Sequence, residues 1–282
     1  MRPVDRLVVT YLAFITILIL LRWEFTFENL LLLFMHALVG VLIFLFTKIG
    51  ETDKVGRVLH LIYPLILLPT LYTELGVLTM QRDLGSTFER DAVVQGWDAM
   101  LFGGQVSYDW IRNAPSVFWS GVLHLAYVLY YPIVLAGPLL LLIRKRPRQA
   151  EHVVFTTILA FVVCYVVFAL YPVAGPNYAF EHPTGPVRDV WSARLVYGLL
   201  GTGSSFGTAF PSSHVAATVA ANIALWREWR ALALAVLVPT ILLIIGTVYC
   251  QMHYGIDAAV GLCIGVAVGM LGAFVARKRD GA

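Results

Sequence analysis

The sequence predicts an all-α integral membrane protein with about eight transmembrane helices. Composition is the first reason: 59% of its 282 residues are hydrophobic and 13% are charged, whereas soluble domains average about 45–50% and about 25%. The second reason is that the hydrophobic residues fall into runs of roughly 20, the length a helix needs to cross a bilayer. Helices rather than strands are expected, because a single helix satisfies its own backbone in lipid.

Eight hydrophobic runs are candidate spans. They are centred on 7–21, 29–47, 58–78, 117–143, 153–172, 211–226, 231–249 and 257–276. The first run follows Arg2 and Arg6 as a signal peptide would, but it lacks a small-residue cleavage pattern and is predicted to be a retained helix. The polar stretches 81–115 and 172–210 are predicted to be long loops with a functional role.

The positions of the 20 lysines and arginines predict the orientation. If every run crosses the membrane once, 14 of them fall on one side and 6 on the other. Positively charged loops stay in the cytoplasm, so the side with the larger number is predicted to be cytoplasmic. Both termini are then expected inside, and both polar stretches outside.

The first motif with possible chemistry is G-T-A-F-P-S-S-H at 207–214. One interpretation is an ordinary helix start, because proline suits the first turn and serine suits the cap. The functional interpretation is that the backbone N–H groups of Ser212, Ser213 and His214 point at an anion, as free helix N-termini do. His214 would then lie within reach of the bound group.

The second motif is H-Y-G-I-D at 253–257. A spacing of four residues places His253 and Asp257 on the same face of a helix. The carboxylate can then hold one ring nitrogen and leave the other as a nucleophile or base. A charged aspartate at the mouth of a hydrophobic helix is costly, which favours a functional role over a capping one.

Other polar residues in the hydrophobic segments have less specific surroundings. His124 is predicted about two helical turns below the outer surface, where it either makes a polar contact inside the bundle or lines a pocket with Tyr127 and Tyr130 on nearby turns. Glu74 and Asp98 are expected to anchor helix ends or loops rather than to catalyse. Structural or interfacial roles are expected for the remaining histidines, His36, His60, His152 and His182.

Composition and spacing also exclude several ligands. The formal net charge is +3 and the basic residues are dispersed, so no nucleic-acid partner is expected. Cys164, Cys250 and Cys263 show no C-x-x-C spacing, and no further His, Asp or Glu cluster has the spacing of metal ligands. Neither a metal nor a cofactor is expected.

Taken together, F-P-S-S-H and H-Y-G-I-D resemble the phosphatidic acid phosphatase type 2 superfamily. The segments W-D-A-M-L-F-G at 97–103, Y-P-V-A-G-P at 171–176 and His253-Tyr254 resemble more closely its inositol-phosphorylceramide synthase (aureobasidin-resistance) branch, to which sphingomyelin synthases are related. The resemblance covers about 95–276. It implies a six-helix catalytic core within 57–282 and two accessory transmembrane helices within 1–56.

The resemblance implies a lipid phosphotransferase or lipid phosphatase that moves a phospho-head group from a lipid phosphate or phospholipid to a lipid hydroxyl or to water. His253 would attack phosphorus and form a phospho-histidine, Asp257 would orient its ring, and His214 would protonate the departing oxygen. The site would face outward from a bacterial inner (plasma) membrane, or into a Golgi-type lumen in a eukaryote.

The chain departs from the hydrolytic members of that superfamily in two ways. It has no K-x6-R-P motif in the predicted outer loops, and Thr247 stands where those enzymes have an arginine six residues before the nucleophile. The inositol-phosphorylceramide branch also lacks that arginine. The resemblance therefore leaves Arg82, Arg112 and Arg188 as candidates for holding the phosphate.

Two alternatives belong to other functional classes. The segment 203–207 fits G-x-S-x-G, so Ser205 and His253 together suggest an intramembrane serine protease of the rhomboid type. A hydrophobic bundle with a few polar groups is also typical of a transporter without catalytic chemistry.

Overall fold

The computed structural model describes residues 1–21, 26–81 and 84–280, and the described residues form helices without a β-strand. The predicted all-α class is therefore confirmed. The helices are α1 Pro3–Leu21, α2 Phe27–Thr52, α3 Lys54–Met80, α4 Leu84–Phe102, α5 Val106–Asn113, α6 Val117–Val128, α7 Tyr130–Ile143, α8 Pro147–Leu170, α9 Pro176–Ala179, α10 Pro186–Asp189, α11 Trp191–Gly203, α12 Ser213–Glu228, α13 Arg230–Tyr249 and α14 Gly255–Asp280.

All eight predicted runs are helical, but they differ in how fully they can cross a membrane. In the described part of the chain, six helices are long and hydrophobic enough, namely α1, α2, α3, α8, α13 and α14. Helices α6 and α7 meet at a bend of 43° and would together make a seventh span. Helix α12 has 16 residues, about 24 Å at 1.5 Å per residue, so the sixth predicted run, 211–226, is a short helix.

The two polar stretches predicted to be loops are largely helical, so that expectation was wrong. The first contains α4 and α5, and the second contains α9, α10 and α11. Helix α4 shows why hydropathy did not reveal it: its buried face is Thr87, Asp91, Val94 and Asp98. These positions follow the helical repeat, but three of the four side chains are polar and give no hydrophobic signal.

Small residues let α12 and α14 pack closely at the centre of the bundle. Gly261, Gly265 and Gly269 face α12 at intervals of four residues. A Cβ on Gly265 would come within 2.7 Å of the Ala216 carbonyl oxygen, and one on Gly261 within 2.5 Å of the Ser212 carbonyl oxygen. Small residues at such spacing allow close approach of membrane helices. This packing sets the start of α12 directly against the first turns of α14.

Two buried polar networks join α1 and α2 to α3. The Glu74 carboxylate accepts a hydrogen bond from the Tyr11 hydroxyl at 3.0 Å and contacts His36 Nε2 at 2.9 Å. In the second network the Asp5 carboxylate lies 3.0 Å from His60 Nε2. Ionisable groups inside a membrane are costly unless they are paired. Glu74 was expected to anchor a helix end or a loop, whereas it links three membrane helices.

Candidate active site

The start of α12 presents two free backbone donors. The Ser212 hydroxyl caps the helix by accepting from the Val215 N–H at 3.4 Å, and the Ser212 N–H donates to the Asp257 carbonyl oxygen at 3.0 Å. The backbone N–H of Ser212 therefore already has an acceptor and is not one of the two free donors. In the described residues the N–H groups of Ser213 and His214 have no acceptor, as is usual for the first turn of a helix.

His253 lies in the short connection between α13 and α14 and is held by backbone groups. Its own N–H donates to the Thr247 carbonyl oxygen at 2.9 Å. Its ring Nδ1 lies 2.9 Å from the Ala209 carbonyl oxygen. A carbonyl oxygen can only accept, so this contact requires the proton on Nδ1 and leaves the lone pair on Nε2. The neutral ring is thereby held in the form that a nucleophile needs.

Asp257 stands beside His253 but is not its shortest contact. Its Oδ2 lies 3.5 Å from His253 Nδ1 and accepts the Tyr254 N–H at 2.8 Å. Its Oδ1 is buried without a hydrogen-bond partner among the described residues. The carboxylate is thus placed to stabilise positive charge on the ring, while the Ala209 carbonyl supplies the closer hydrogen-bond acceptor.

His214 faces His253 across a small cavity. The two ring centroids are 5.8 Å apart, and the His214 ring packs on Tyr130 at 4.5 Å and on Tyr127 at 5.1 Å. The cavity has a volume of about 30 Å³ and is lined by both histidines and Tyr127. That volume holds about one water molecule, so a phosphoryl group requires its walls to move apart.

Two of the three candidate arginines, Arg112 and Arg188, do not line this cavity. Arg112 donates to the Gln251 side chain at 2.8 Å and stacks on Tyr108. Arg188 stacks on Tyr197 with 3.1 Å between its guanidinium carbon and the ring centroid. Arg82 lies outside the described residues.

His124 is also separate from the cavity. Its Nδ1 lies 2.8 Å from the Ser120 carbonyl oxygen, and its ring packs against Tyr197 at 5.8 Å. The structure therefore brings together His214, His253, Asp257, Ser213 and Tyr127. The cavity lining contains no lysine or arginine among the residues described.

Asp91 is a buried residue near the site that the sequence did not single out. Its Oδ1 accepts from the Gly175 N–H and from the Tyr254 hydroxyl, both at 2.8 Å, and its Oδ2 accepts from the Ala174 N–H at 2.6 Å. Burial raises the pKa of Asp91, against the lowering effect of these hydrogen bonds. Asp91 thereby links Tyr254, the residue after His253, to the loop that contains Ala174 and Gly175. The one sequence feature that could have revealed Asp91 is its spacing of seven residues from Asp98, which places both aspartates on the same face of α4.

Asp98 anchors the start of α14, as expected for a residue that secures a helix end. Its Oδ1 accepts the Ile256 N–H at 2.7 Å, one of the donors that have no partner within the helix. Burial raises the pKa of Asp98, while the backbone hydrogen bonds lower it. The contact fixes the first turn of α14, which carries Asp257.

Asp98→Ala is expected to lower the free energy of unfolding by about 1–3 kcal/mol, because it leaves the partly buried Ile256 N–H donor without a partner. Thermal unfolding in detergent would measure this loss. Glu89→Ala is the matched control, since Glu89 is an exposed acid on the same helix. Equal melting temperatures for the two variants would show that the Asp98 contact does not stabilise the fold.

Comparison with protein families identifies the superfamily of this chain. A model of the PAP2 superfamily matches residues 98–271, which is more than half of the chain. The chain belongs to the PAP2 superfamily. Searches of curated proteins and of solved structures gave no match. The matched region begins at Asp98 and contains His214, His253 and Asp257, whereas α1, α2 and α3 lie outside it.

Membership of the PAP2 superfamily fits a membrane enzyme of the lipid phosphatase or phosphotransferase type. The serine-protease alternative depends on a hydrogen-bonded Ser–His pair. Ser205 lines the cavity with His253, and its carbonyl oxygen accepts a hydrogen bond from the Thr208 hydroxyl at 2.6 Å. No hydrogen bond joins Ser205 to either histidine in the described structure.

Proposed function

We propose that this PAP2 superfamily protein is a lipid phosphotransferase or lipid phosphatase that works through a phospho-histidine on His253. The observation that carries the proposal is the 2.9 Å contact between His253 Nδ1 and the Ala209 carbonyl oxygen. It leaves Nε2 as the nucleophilic nitrogen, in a cavity that His214 also lines. The opposed histidines provide a nucleophile and a proton donor on either side of one small space.

The first step transfers the phosphoryl group to the enzyme. His253 Nε2 attacks phosphorus, the bond from phosphorus to the leaving oxygen breaks, and His214 in its protonated form gives its proton to that oxygen. The ring of His253 becomes positively charged, and the Asp257 carboxylate at 3.5 Å stabilises this charge. The free N–H groups of Ser213 and His214 and the α12 dipole favour the negative charge on the phosphoryl oxygens.

The second step returns the enzyme to its starting state. His214, now neutral, takes the proton of a lipid hydroxyl or of water, whose oxygen attacks phosphorus as the bond from phosphorus to Nε2 breaks. Water as acceptor gives hydrolysis, and a lipid hydroxyl gives head-group transfer. The resemblance to the inositol-phosphorylceramide synthase branch supports transfer between lipids, and no step requires a metal.

A panel of radiolabelled phospholipids tests this function directly. The purified protein would be incubated with each donor, with and without ceramide or diacylglycerol, and free phosphate, free phospho-head group and new phospholipid would be separated. Release of phosphate or labelled new lipid supports the proposal. Turnover of none of these donors, by protein that remains folded, would contradict it.

Asp257→Asn is expected to lower kcat by about 10²-fold. The change keeps the shape of the side chain but removes the negative charge that faces the ring of His253. The loss is expected at the lower end of the range for the aspartate of serine-protease triads, because the Ala209 carbonyl still holds Nδ1. Steady-state kinetics with the preferred lipid would measure it, with little change in KM; full activity would exclude the proposed role.

The proposed orientation places the histidine pair at the outer face of the membrane. It rests on the excess of lysine and arginine at the start of α8 and the end of α12, which are the ends away from the histidine pair. Positively charged loops are retained inside the cell. It supports an outward-facing site in a bacterial plasma membrane, or a lumenal site in a Golgi-type compartment.

Cysteine labelling would test this orientation. Arg148→Cys and Asp189→Cys, each placed in a Cys263→Ser background, are expected to react with a membrane-impermeant maleimide from opposite faces of sealed vesicles. Cys164 and Cys250 are buried and serve as an internal control for silent cysteines. Labelling of both new cysteines from the same face would exclude the orientation.

A further inference from the structure

A second, larger cavity lies at the end of the bundle opposite the histidine pair. It has a volume of about 830 Å³ and is formed by the start of α1, the turn between α7 and α8, and the ends of α12 and α14. Helix α12 connects the two regions, since it begins beside His214 and ends at Glu228, which lines this cavity. Volumes of roughly 300–1,000 Å³ are typical of ligand sites.

The rim of this cavity is basic. Lys145, Arg146 and Arg148 line it together with the carboxylates of Glu151 and Glu228. Glu228 is already neutralised, because its Oε1 lies 2.8 Å from His152 Nδ1 and 3.1 Å from Arg227 Nε. The three exposed cations therefore outweigh the one remaining carboxylate and favour an anion.

Two buried polar atoms in the wall have no partner among the described residues. One is Nε2 of His152, whose side chain is only 9% exposed, and the other is Oε1 of Gln149. Both side chains line the cavity. Buried polar atoms are nearly always hydrogen-bonded, so these two indicate a ligand that supplies a partner for each. A protonated His152 can donate to a phosphate oxygen, and the Gln149 oxygen requires a donor such as a hydroxyl.

The remaining wall is hydrophobic and follows two membrane helices. Phe155 of α8 and Val275 and Ala276 of α14 line the cavity below the basic rim. A ligand that is charged at one end and hydrophobic at the other matches both surfaces. Basic pockets between membrane helices commonly bind anionic lipid head groups.

We propose that this cavity is a binding site for an anionic phospholipid whose head group carries a hydroxyl. The phosphate contacts Lys145, Arg148 and His152, the hydroxyl donates to Gln149, and an acyl chain lies along Phe155 and Val275. The site is separate from the histidine pair and does not depend on turnover there.

Native mass spectrometry of the full-length His253→Ala variant would test the proposal, because the proposed nucleophile is absent and bound lipid is not consumed. Phosphatidylglycerol is the probe, and phosphatidylcholine is the zwitterionic comparison. We expect phosphatidylglycerol to bind at least tenfold more tightly. The double change Lys145→Ala and Arg148→Ala is expected to remove about tenfold of that affinity, whereas Lys48→Ala with Lys54→Ala, which are exposed and outside the cavity, should have no effect.

Two further arms separate the parts of the proposal. Phosphatidic acid, which lacks the head-group hydroxyl, is expected to bind severalfold more weakly than phosphatidylglycerol, and millimolar inorganic phosphate should not displace the lipid. Equal binding of phosphatidylglycerol and phosphatidylcholine, or unchanged affinity in the Lys145/Arg148 variant, would overturn the site. Displacement by inorganic phosphate alone would show that the cavity binds a soluble anion and would overturn the lipid assignment.

Discussion

His253→Ala is expected to abolish turnover of lipid phosphate, with a loss on the order of 10⁶-fold in kcat, comparable to removal of a protease nucleophile. The reason is that no other nucleophile lines the described cavity in an equivalent position: Ser205 has no histidine partner, and the backbone contact to Ala209 prepares His253 alone. Rate measurements with the preferred lipid would test the loss. His182→Ala is the matched control, since His182 is exposed and does not line the cavity.

The same variant tests the covalent intermediate. Wild-type protein incubated with ³²P-labelled donor and quenched without acid should carry a label that is lost in acid and stable in alkali, as phospho-histidine is. The label should be absent from His253→Ala and present in His182→Ala. Label that survives acid, or label on a serine, would contradict the proposed nucleophile.

His214→Ala is expected to lower kcat by about 10²–10⁴-fold, the usual contribution of a general acid and base. His214 faces His253 at 5.8 Å between ring centroids, and its Nδ1 is buried without a partner among the described residues. Its loss should slow both the departure of the leaving oxygen and the attack of the acceptor. Steady-state kinetics would give the overall loss.

The role of His214 can be separated from that of His253 by the leaving group. An aryl phosphate ester with an acidic phenol needs no proton to depart, so His214→Ala should still form the phospho-enzyme from it. Because the second step still needs a base, that phospho-enzyme should accumulate after an initial burst of phenol. His253→Ala should show no burst of phenol with this ester. A burst in neither variant would contradict the assignment of His214 as the acid.

Ser205→Ala provides the comparison with the serine-protease alternative. A small effect is expected, because the described residues include no hydrogen bond between Ser205 and a histidine. An inactive Ser205→Ala together with an active His214→Ala would favour the protease.

The sequence predicted the helices that follow a strong hydrophobic signal and missed those that do not. Runs such as 153–172 and 257–276 correspond to α8 and α14, because about 20 hydrophobic residues leave a helix as the structure that satisfies their backbone in lipid. Helix α4 was missed because its buried face carries Asp91 and Asp98. A buried polar face follows the same helical period, but a hydropathy pattern does not detect it.

Both short motifs were visible in the sequence because their spacing is local. F-P-S-S-H indicated the start of α12. H-Y-G-I-D brought His253 and Asp257 together, but His253 lies just before α14 and not on the helix that carries Asp257. What only the tertiary structure decided was the set of partners. Ala209 accepts from His253 across 44 residues, and Asp91 accepts from Tyr254 across 163. Every residue has a backbone carbonyl, so no residue type marks the one that contacts Nδ1; chain packing, including the close approach of α12 and α14, determines it.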